Sequence, residues 1–204
     1  MKSPVVVFDL GKTLVDFDYS IAANRIVPRC NPPADPVKFF SEHAAVLTSY
    51  ELGILTTEQF FTQICSASGF DGTQAEFSNF FADIFTPIQP MIDLHAELRG
   101  KKIETYIFSN TNDLAVNQIR KTFPFFSEFD GYILSYEHGH MKPAARLYEI
   151  LERISGRRGG EIVYIDDRGE NVAAGTARGW TGILHEEPAK TREALQKFGV
   201  FAQS

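Results

Sequence analysis

Cysteine is scarce in this chain: Cys30 and Cys65 are the only two among 204 residues. Their separation matches no metal-binding spacing, and two thiols are too few for a disulfide scaffold. They read as buried or half-buried thiols of a protein in a reducing, cytoplasmic setting. Long apolar runs are also missing. Val5-Val6-Val7-Phe8 is among the longest, far short of a membrane-crossing helix. Met1-Lys2-Ser3 leads straight into that run, so no secretory leader is expected. Positive charge is not in excess. Twenty Lys and Arg stand against 26 Asp and Glu, a net charge of -6. This removes the electrostatic case for a nucleic-acid partner or an anionic membrane. Internal repeats and low-complexity segments are absent as well.

What is present suits a folded globular chain. Hydrophobic residues make up 44% and charged residues 23%, which argues against disorder. The length allows one core, or one core with a small inserted unit.

Short β-rich runs occur at residues 5–8, 103–108, 132–134, 162–165 and 181–184. The first, second and fourth are nearly all hydrophobic, as expected of parallel strands buried on both faces. Helical patterns separate them. Asp113 suits the cap of a helix over 114–121, and Pro143 suits the first turn of a helix over 144–154. Gly169 opens a further helix that ends near Gly179. This alternation predicts an α/β fold, a Rossmann-like parallel sheet with right-handed crossovers.

Residues 15–91 read differently. No strand is expected there, and four helices are, over 19–27, 36–49, 57–68 and 73–85. Pro32-Pro33, Gly53, Gly69 and Gly72 break them. Ten of the 18 Phe residues fall in this stretch, at spacings that suit helical faces and the core of a small bundle. The expected organisation is therefore an α/β core from 1–14 and 92–204, with an all-helical cap inserted over 15–91.

Ligands of open parallel sheets bind beyond the carboxyl ends of the strands. The first strand is followed by Asp9-Leu10-Gly11-Lys12-Thr13 and the second by Ser109-Asn110-Thr111-Asn112. Lys142-Pro143 comes a little after the third, and Asp166-Asp167 follows the fourth. Asp9, Asp166 and Asp167 would repel one another at close range unless a cation neutralised them. A hard divalent ion is the natural answer. Mg2+ fits best, because it takes few carboxylates and completes its shell with water and substrate phosphate. Ser109 and Lys142 can then hold phosphate oxygens.

In order and spacing these four motifs resemble the haloacid dehalogenase-like hydrolases, and the helical insert sits where that family carries its first type of cap. The resemblance implies a phosphatase. Asp9 would be the nucleophile that forms an aspartyl-phosphate. Ser109, Asn110 through its backbone, Gly11 and Lys12 would surround the phosphoryl group. Lys142 would steady Asp9 and the transferring charge. Asp9, the Gly11 carbonyl and Asp167 would hold the metal, with Asp166 acting through water or supporting Lys142. Thr13 would help fix the loop. Phe8-Asp9-Leu10-Gly11, Ser109-Asn110-Thr111-Asn112, Lys142-Pro143 with Arg146-Leu147-Tyr148, Asp166-Asp167 with Asn171, and Glu51-Leu52-Gly53-Ile54-Leu55-Thr56 are similar to the subgroup containing α-D-glucose-1-phosphate phosphatases. The implied substrate is a small phosphorylated metabolite, with sugar phosphates as candidates.

Position 11 departs from the family pattern. A second Asp normally stands two residues after the nucleophile, giving its carbonyl to the metal and its carboxyl to proton transfer. Gly11 keeps the first and lacks the second. A positioned acid or base contributes about 10² to 10⁴ in rate. Lys12, Asp16, His138 and His140 are the candidate substitutes; a substrate with a good leaving group, or a water chain, would serve as well. Two other outcomes stay open: an impaired binding or regulatory protein, and a metal-independent 2-haloacid dehalogenase. The acidic pair argues against the latter, since extra carboxylates beside Asp9 are counterproductive without a cation.

Other features read as structural. His138 and His140 lack the further ligands a zinc site needs. His43, His95 and His185 are expected to be solvated or satisfied locally. Tyr50, Glu51 and Gly53 fall in a cap loop that can reach the active site.

Overall fold

The run Val5-Val6-Val7-Phe8 becomes β1 (Val5–Phe8), and all four residues are buried. Alternate side chains point to opposite faces of a strand. Val6 and Phe8 enter one core and Val5 and Val7 another, so β1 must lie inside a sheet covered on both sides. The computed structural model of the protein describes residues 4–202. It places β1 at the centre of a five-stranded sheet.

After β1 come β2 (Val15–Phe17) and five helices: α1 (Tyr19–Ile26), α2 (Phe39–Glu42), α3 (Ala44–Glu51), α4 (Thr57–Ser68) and α5 (Gln74–Ala82). The chain returns through β3 (Phe85–Pro87) and α6 (Gln89–Gly100) to β4 (Thr105–Ser109). Then follow α7 (Asp113–Thr122), β5 (Gly131–Leu134), α8 (Ser135–His138), α9 (Ala145–Ser155), β6 (Ile162–Asp166), α10 (Gly169–Thr176), β7 (Thr181–Leu184) and α11 (Pro188–Lys197). The strand order is β5-β4-β1-β6-β7. Every pairing in this sheet is parallel. The order reverses at β1, so a crevice opens beyond its carboxyl end, between β4 and β6.

One face of the sheet buries Val6, Phe8, Ile107 and Ile165 against Met91, Leu94, Leu98, Val116 and Ile119 of α6 and α7. The other buries Val7, Phe108 and Tyr164 against Leu147, Tyr148 and Leu151 of α9 and against Trp180. A third core belongs to α1–α5. Phe39, Tyr50, Phe60, Phe77 and Phe81 are its largest buried members. Phe60 stacks on Tyr50 with ring centroids 4.3 Å apart.

The stretch expected to be wholly helical contains two strands. β2 and β3 pair antiparallel, with Phe17 opposite Phe85. They form the two-stranded stalk by which the chain leaves and re-enters the sheet region. Three residues each are too few for a visible period. The helix expected over 36–49 is broken at His43, whose ring bonds the Phe39 carbonyl at 2.7 Å. Asp113 is not the helix cap. Asn112 fills that role, its side chain accepting from the Ala115 amide, which releases Asp113 to accept from Tyr50 and Thr57 across the cap boundary. Pro143 stands ahead of its helix, which starts at Ala145 after an extended Ala144. His43, His95 and His185 are all bonded to neighbouring groups. No helix among the described residues is long and apolar enough to cross a membrane.

The aromatic core of α1–α5 generates a direct expectation. Phe60→Ala should cost about 3–5 kcal/mol, read as a lower urea midpoint. Phe61→Ala, one position along and only half-buried, should cost markedly less.

Candidate active site

Asp9 is the first residue past β1. Its amide still donates to the Ile165 carbonyl of β6 at 2.8 Å, so the backbone is fixed while the carboxyl enters the crevice. Lys142 reaches the same point from the loop after α8. Its ammonium is buried and donates to Asp9 Oδ1 (2.8 Å), Asp166 Oδ2 (2.6 Å) and the Phe108 carbonyl (2.7 Å). All three of its protons are thus used. The rings of Phe108 and Tyr164 also lie 5.1 and 5.7 Å from the nitrogen, close enough for cation–π attraction.

The opposing charges decide how these groups ionise. Burial alone would lower Lys142, but Asp9 and Asp166 outweigh it and hold the ammonium above its ordinary range. Burial pushes the Asp9 carboxyl up to about 7; Lys142 opposes the shift and Asp166 adds to it. Asp167 is half-buried and is also raised, by burial and then by Asp166.

Asp166 and Asp167 are adjacent but differently employed. Asp166 Oδ1 accepts from the Arg168 amide (2.8 Å) and from Asn171 Nδ2 (3.0 Å). Its Oδ2 accepts from Lys142 and the Tyr164 hydroxyl. Asp167 faces the cavity. One carboxylate oxygen each from Asp9, Asp166 and Asp167 lies within 4.8 Å of the others. Such crowded like charge fits a divalent cation with oxygen ligands.

Asn110 is tied down through its side chain. It accepts from the Lys142 amide at 2.7 Å and donates to the Lys142 carbonyl at 3.0 Å. This reciprocal pair fixes the loop that carries the lysine. Ser109 ends β4, is buried, and donates only a long 3.4 Å bond to the Asn110 carbonyl. Thr13 does not hold its loop through its hydroxyl, which is buried and unpartnered among the described residues. Backbone bonds do that instead, from Lys12 to Val15 and from Leu14 and Val15 to Leu10.

Asp9, Gly11, Lys12, Asn110, Lys142 and Asp167 line one cavity of about 210 Å³, and the cap adds Phe17, Tyr19, Leu47 and Glu51 to its wall. Ser109 opens on an adjoining cleft that shares Gly11, Phe17, Glu51 and Asn110. A Cβ at Gly11 would stand 2.8 Å from Phe17 Cε1. An aromatic edge therefore lies where a side chain at position 11 would begin.

The substitutes foreseen for the missing carboxyl fare poorly. Lys12 and Asp16 pair with each other at the surface, and that bond lowers Asp16 below the usual carboxylate range. Lys12 also donates to the Phe17 carbonyl. Neither His138 nor His140 lines the cavity. Two contributors were not foreseen. Tyr164 sits two residues before Asp166 on the same strand face, a period-of-two signal that was available. Phe17 had no such signal, because its position depends on the β2–β3 stalk.

Two outcomes test this geometry. In the metal-free protein at pH 7.5, Lys142→Met should cost about 3–5 kcal/mol, because it strands buried carboxylates. The loss should shrink at pH 5, where Asp9, already raised to about 7, is neutral; urea unfolding at both pH values reads this. Gly11→Ala should cost about 1–3 kcal/mol by crowding Phe17. A double-mutant cycle with Phe17→Ala should remove that penalty.

Comparison with known proteins agrees with this architecture. The family model for haloacid dehalogenase-like hydrolases matches residues 4–179. A D-ribitol-5-phosphate phosphatase of Bacteroides thetaiotaomicron is 26% identical over 199 residues, covering 93% of this chain and 95% of the relative. A sesquiterpene phosphatase of Aspergillus oryzae is 26% identical over 178 residues, covering 83% and 90%. Among solved structures, the magnesium complex of a haloacid dehalogenase family enzyme from Bacteroides thetaiotaomicron superposes with a TM-score of 0.80. It is 20% identical, with 90% of this chain and 93% of that one covered. An L-2-haloacid dehalogenase from Xanthobacter autotrophicus gives a TM-score of 0.63 at 17% identity, covering 98% and 88%. The chain belongs to the haloacid dehalogenase-like hydrolases.

Proposed function

We propose that the protein is a magnesium-dependent phosphatase acting on a small phosphorylated metabolite, with Asp9 as nucleophile. One observation carries this reading: three carboxylates crowd within 4.8 Å beside a buried ammonium that touches two of them. A site built to take an anion needs cations to outweigh its own acids. The phosphatase activities of two relatives support the same reading, and sugar and polyol phosphates are the first substrates to try.

In this reading Asp9, Asp167 and the Gly11 carbonyl hold magnesium, with Asp166 contributing beside them. Bound magnesium neutralises these acids and the phosphoryl oxygens. Lys142 holds Asp9 Oδ1 at 2.8 Å, which orients the carboxylate and leaves its second oxygen to attack phosphorus. Ser109 and the Asn110 backbone bind the phosphoryl oxygens, with Lys12 at the cavity mouth. Tyr164 and Asn171 act through Asp166: by fixing its oxygens they keep Lys142 where Asp9 needs it.

A panel of D-ribitol 5-phosphate, α-D-glucose 1-phosphate, an isoprenoid monophosphate and p-nitrophenyl phosphate tests the proposal. Turnover should require magnesium, cease with EDTA and return when magnesium is restored. Asp9→Asn should fall to the rate of an enzyme-free control. Equal rates for Asp9→Asn and the unsubstituted protein would refute the nucleophile. Halide release from a 2-haloacid without metal would favour the dehalogenase alternative, and tight binding with no turnover would favour a binding role.

A further inference from the structure

The proposed reaction needs a proton donor for the leaving group and a base for the attacking water. Position 11 supplies neither, and the Phe17 ring edge occupies the space beside it. Among the described residues, three carboxyls line the cavity: Asp9, Asp167 and Glu51. Asp9 is the nucleophile of the proposed reaction and Asp167 belongs to the acidic cluster. Glu51 remains. It comes from the end of α3, on the opposite wall, and also borders the adjoining cleft. No protein hydrogen bond or ion pair engages its carboxyl among the described residues, although it is half-buried.

Its placement is built rather than incidental. The Glu51 carbonyl accepts from Ser135 Oγ at 2.6 Å, and that hydroxyl accepts from the Thr111 amide at 2.9 Å. Thr111 is two residues past Ser109. One position before Glu51, the Tyr50 hydroxyl bonds Asp113 and accepts from the Leu114 amide. Two positions after it, Gly53 (φ 67°) packs so closely that a Cβ would lie 2.0 Å from the Tyr136 carbonyl oxygen. The backbone on both sides of Glu51 is therefore docked on the sheet domain.

Resting on the phosphatase reading, we propose that Glu51 is the general acid and base of this site, delivered by the helical insert in place of a carboxyl at position 11. In the first step Asp9 forms a bond to phosphorus as the phosphorus–oxygen bond to the leaving group breaks, and the Glu51 proton passes to that leaving oxygen. In the second, the Glu51 carboxylate takes a proton from water as the water oxygen attacks phosphorus. The Asp9–phosphorus bond breaks, phosphate departs and Glu51 is again protonated. Burial, opposed only by Arg168, pushes Glu51 up to about 7, so both forms are present near neutrality. The groups facing it are Tyr19 from α1, Lys12 after β1, Lys142, Arg168 and the two aspartates.

Glu51→Gln keeps the shape and loses the proton. The probes are p-nitrophenyl phosphate, whose leaving group needs no proton, and the alkyl phosphate of the panel that turns over fastest. On p-nitrophenyl phosphate the variant should release one equivalent of p-nitrophenolate at nearly the original rate, which also certifies its fold. Its steady state should then fall by about 10² to 10⁴. On the alkyl ester the first turnover itself should fall by a similar factor, and its decline above about pH 7 should disappear. Steady-state rates within threefold of the original on both esters would overturn the proposal. So would a raised KM with kcat unchanged, which would make Glu51 a binding group. If Asp9→Asn is inactive while Glu51→Gln is unimpaired, only this inference fails. If the unsubstituted protein turns over no ester, the phosphatase reading fails with it.

Discussion

The buried ammonium of Lys142 is the constraint on which the site depends. Asp9 and Asp166 leave two parallel strands that lie side by side, so the fold itself forces their carboxyls together. Unpaired, they would cost several kcal/mol in that environment. Lys142 bonds both of them and the Phe108 carbonyl at the end of β4. A single nitrogen thus ties three neighbouring strands at their carboxyl ends. The surrounding bonds serve that nitrogen: Asn110 grips its backbone, while Tyr164 and Asn171 fix the acid beneath it. A rigid pocket of this kind loses little orientation entropy when a reactant enters.

The sheet was legible because its signals are short in range. Val5-Val6-Val7-Phe8 has the length and β-branched content of an interior parallel strand, and the residues directly after such a strand lie at the binding edge. Asp9, Ser109 and Asp166-Asp167 are read from strand ends in this way, whereas Lys142, which follows its strand only after α8, needs the order and spacing of all four motifs together. The stalk was not legible, since Val15–Phe17 and Phe85–Pro87 are each three residues long and acquire meaning only from their mutual pairing. Asp113 misled for a related reason. It has the chemistry of a helix cap, but Asn112 beside it does too, and only the tertiary partners Tyr50 and Thr57 decide between them.

Gly11 shows how a local loss becomes a global question. A residue without a side chain leaves the sheet edge almost unchanged, yet it shifts the demand for proton transfer to other parts of the chain. Near the nucleophile in sequence, Lys12 and Asp16 answer each other at the surface instead. Glu51 of the insert, 40 residues on from Gly11 in sequence, lines the cavity. Under the Glu51 proposal the nucleophile and the acid–base group stand on two separately built cores, one of parallel strands and one aromatic.

Gly53 gives that division a mechanical meaning. Its backbone rests against the Tyr136 carbonyl with no room for a methyl group. The contact acts as a shim between the two bodies: the absence of a side chain admits the close approach that the Ser135 and Tyr50 bonds then hold. A side chain there would collide with the Tyr136 carbonyl and force the end of α3 and α8 apart, like a wedge driven between them. The spacing between the end of α3 and the sheet edge thus depends in part on a residue that touches neither Asp9 nor Lys142, alongside the Ser135 and Tyr50 bonds.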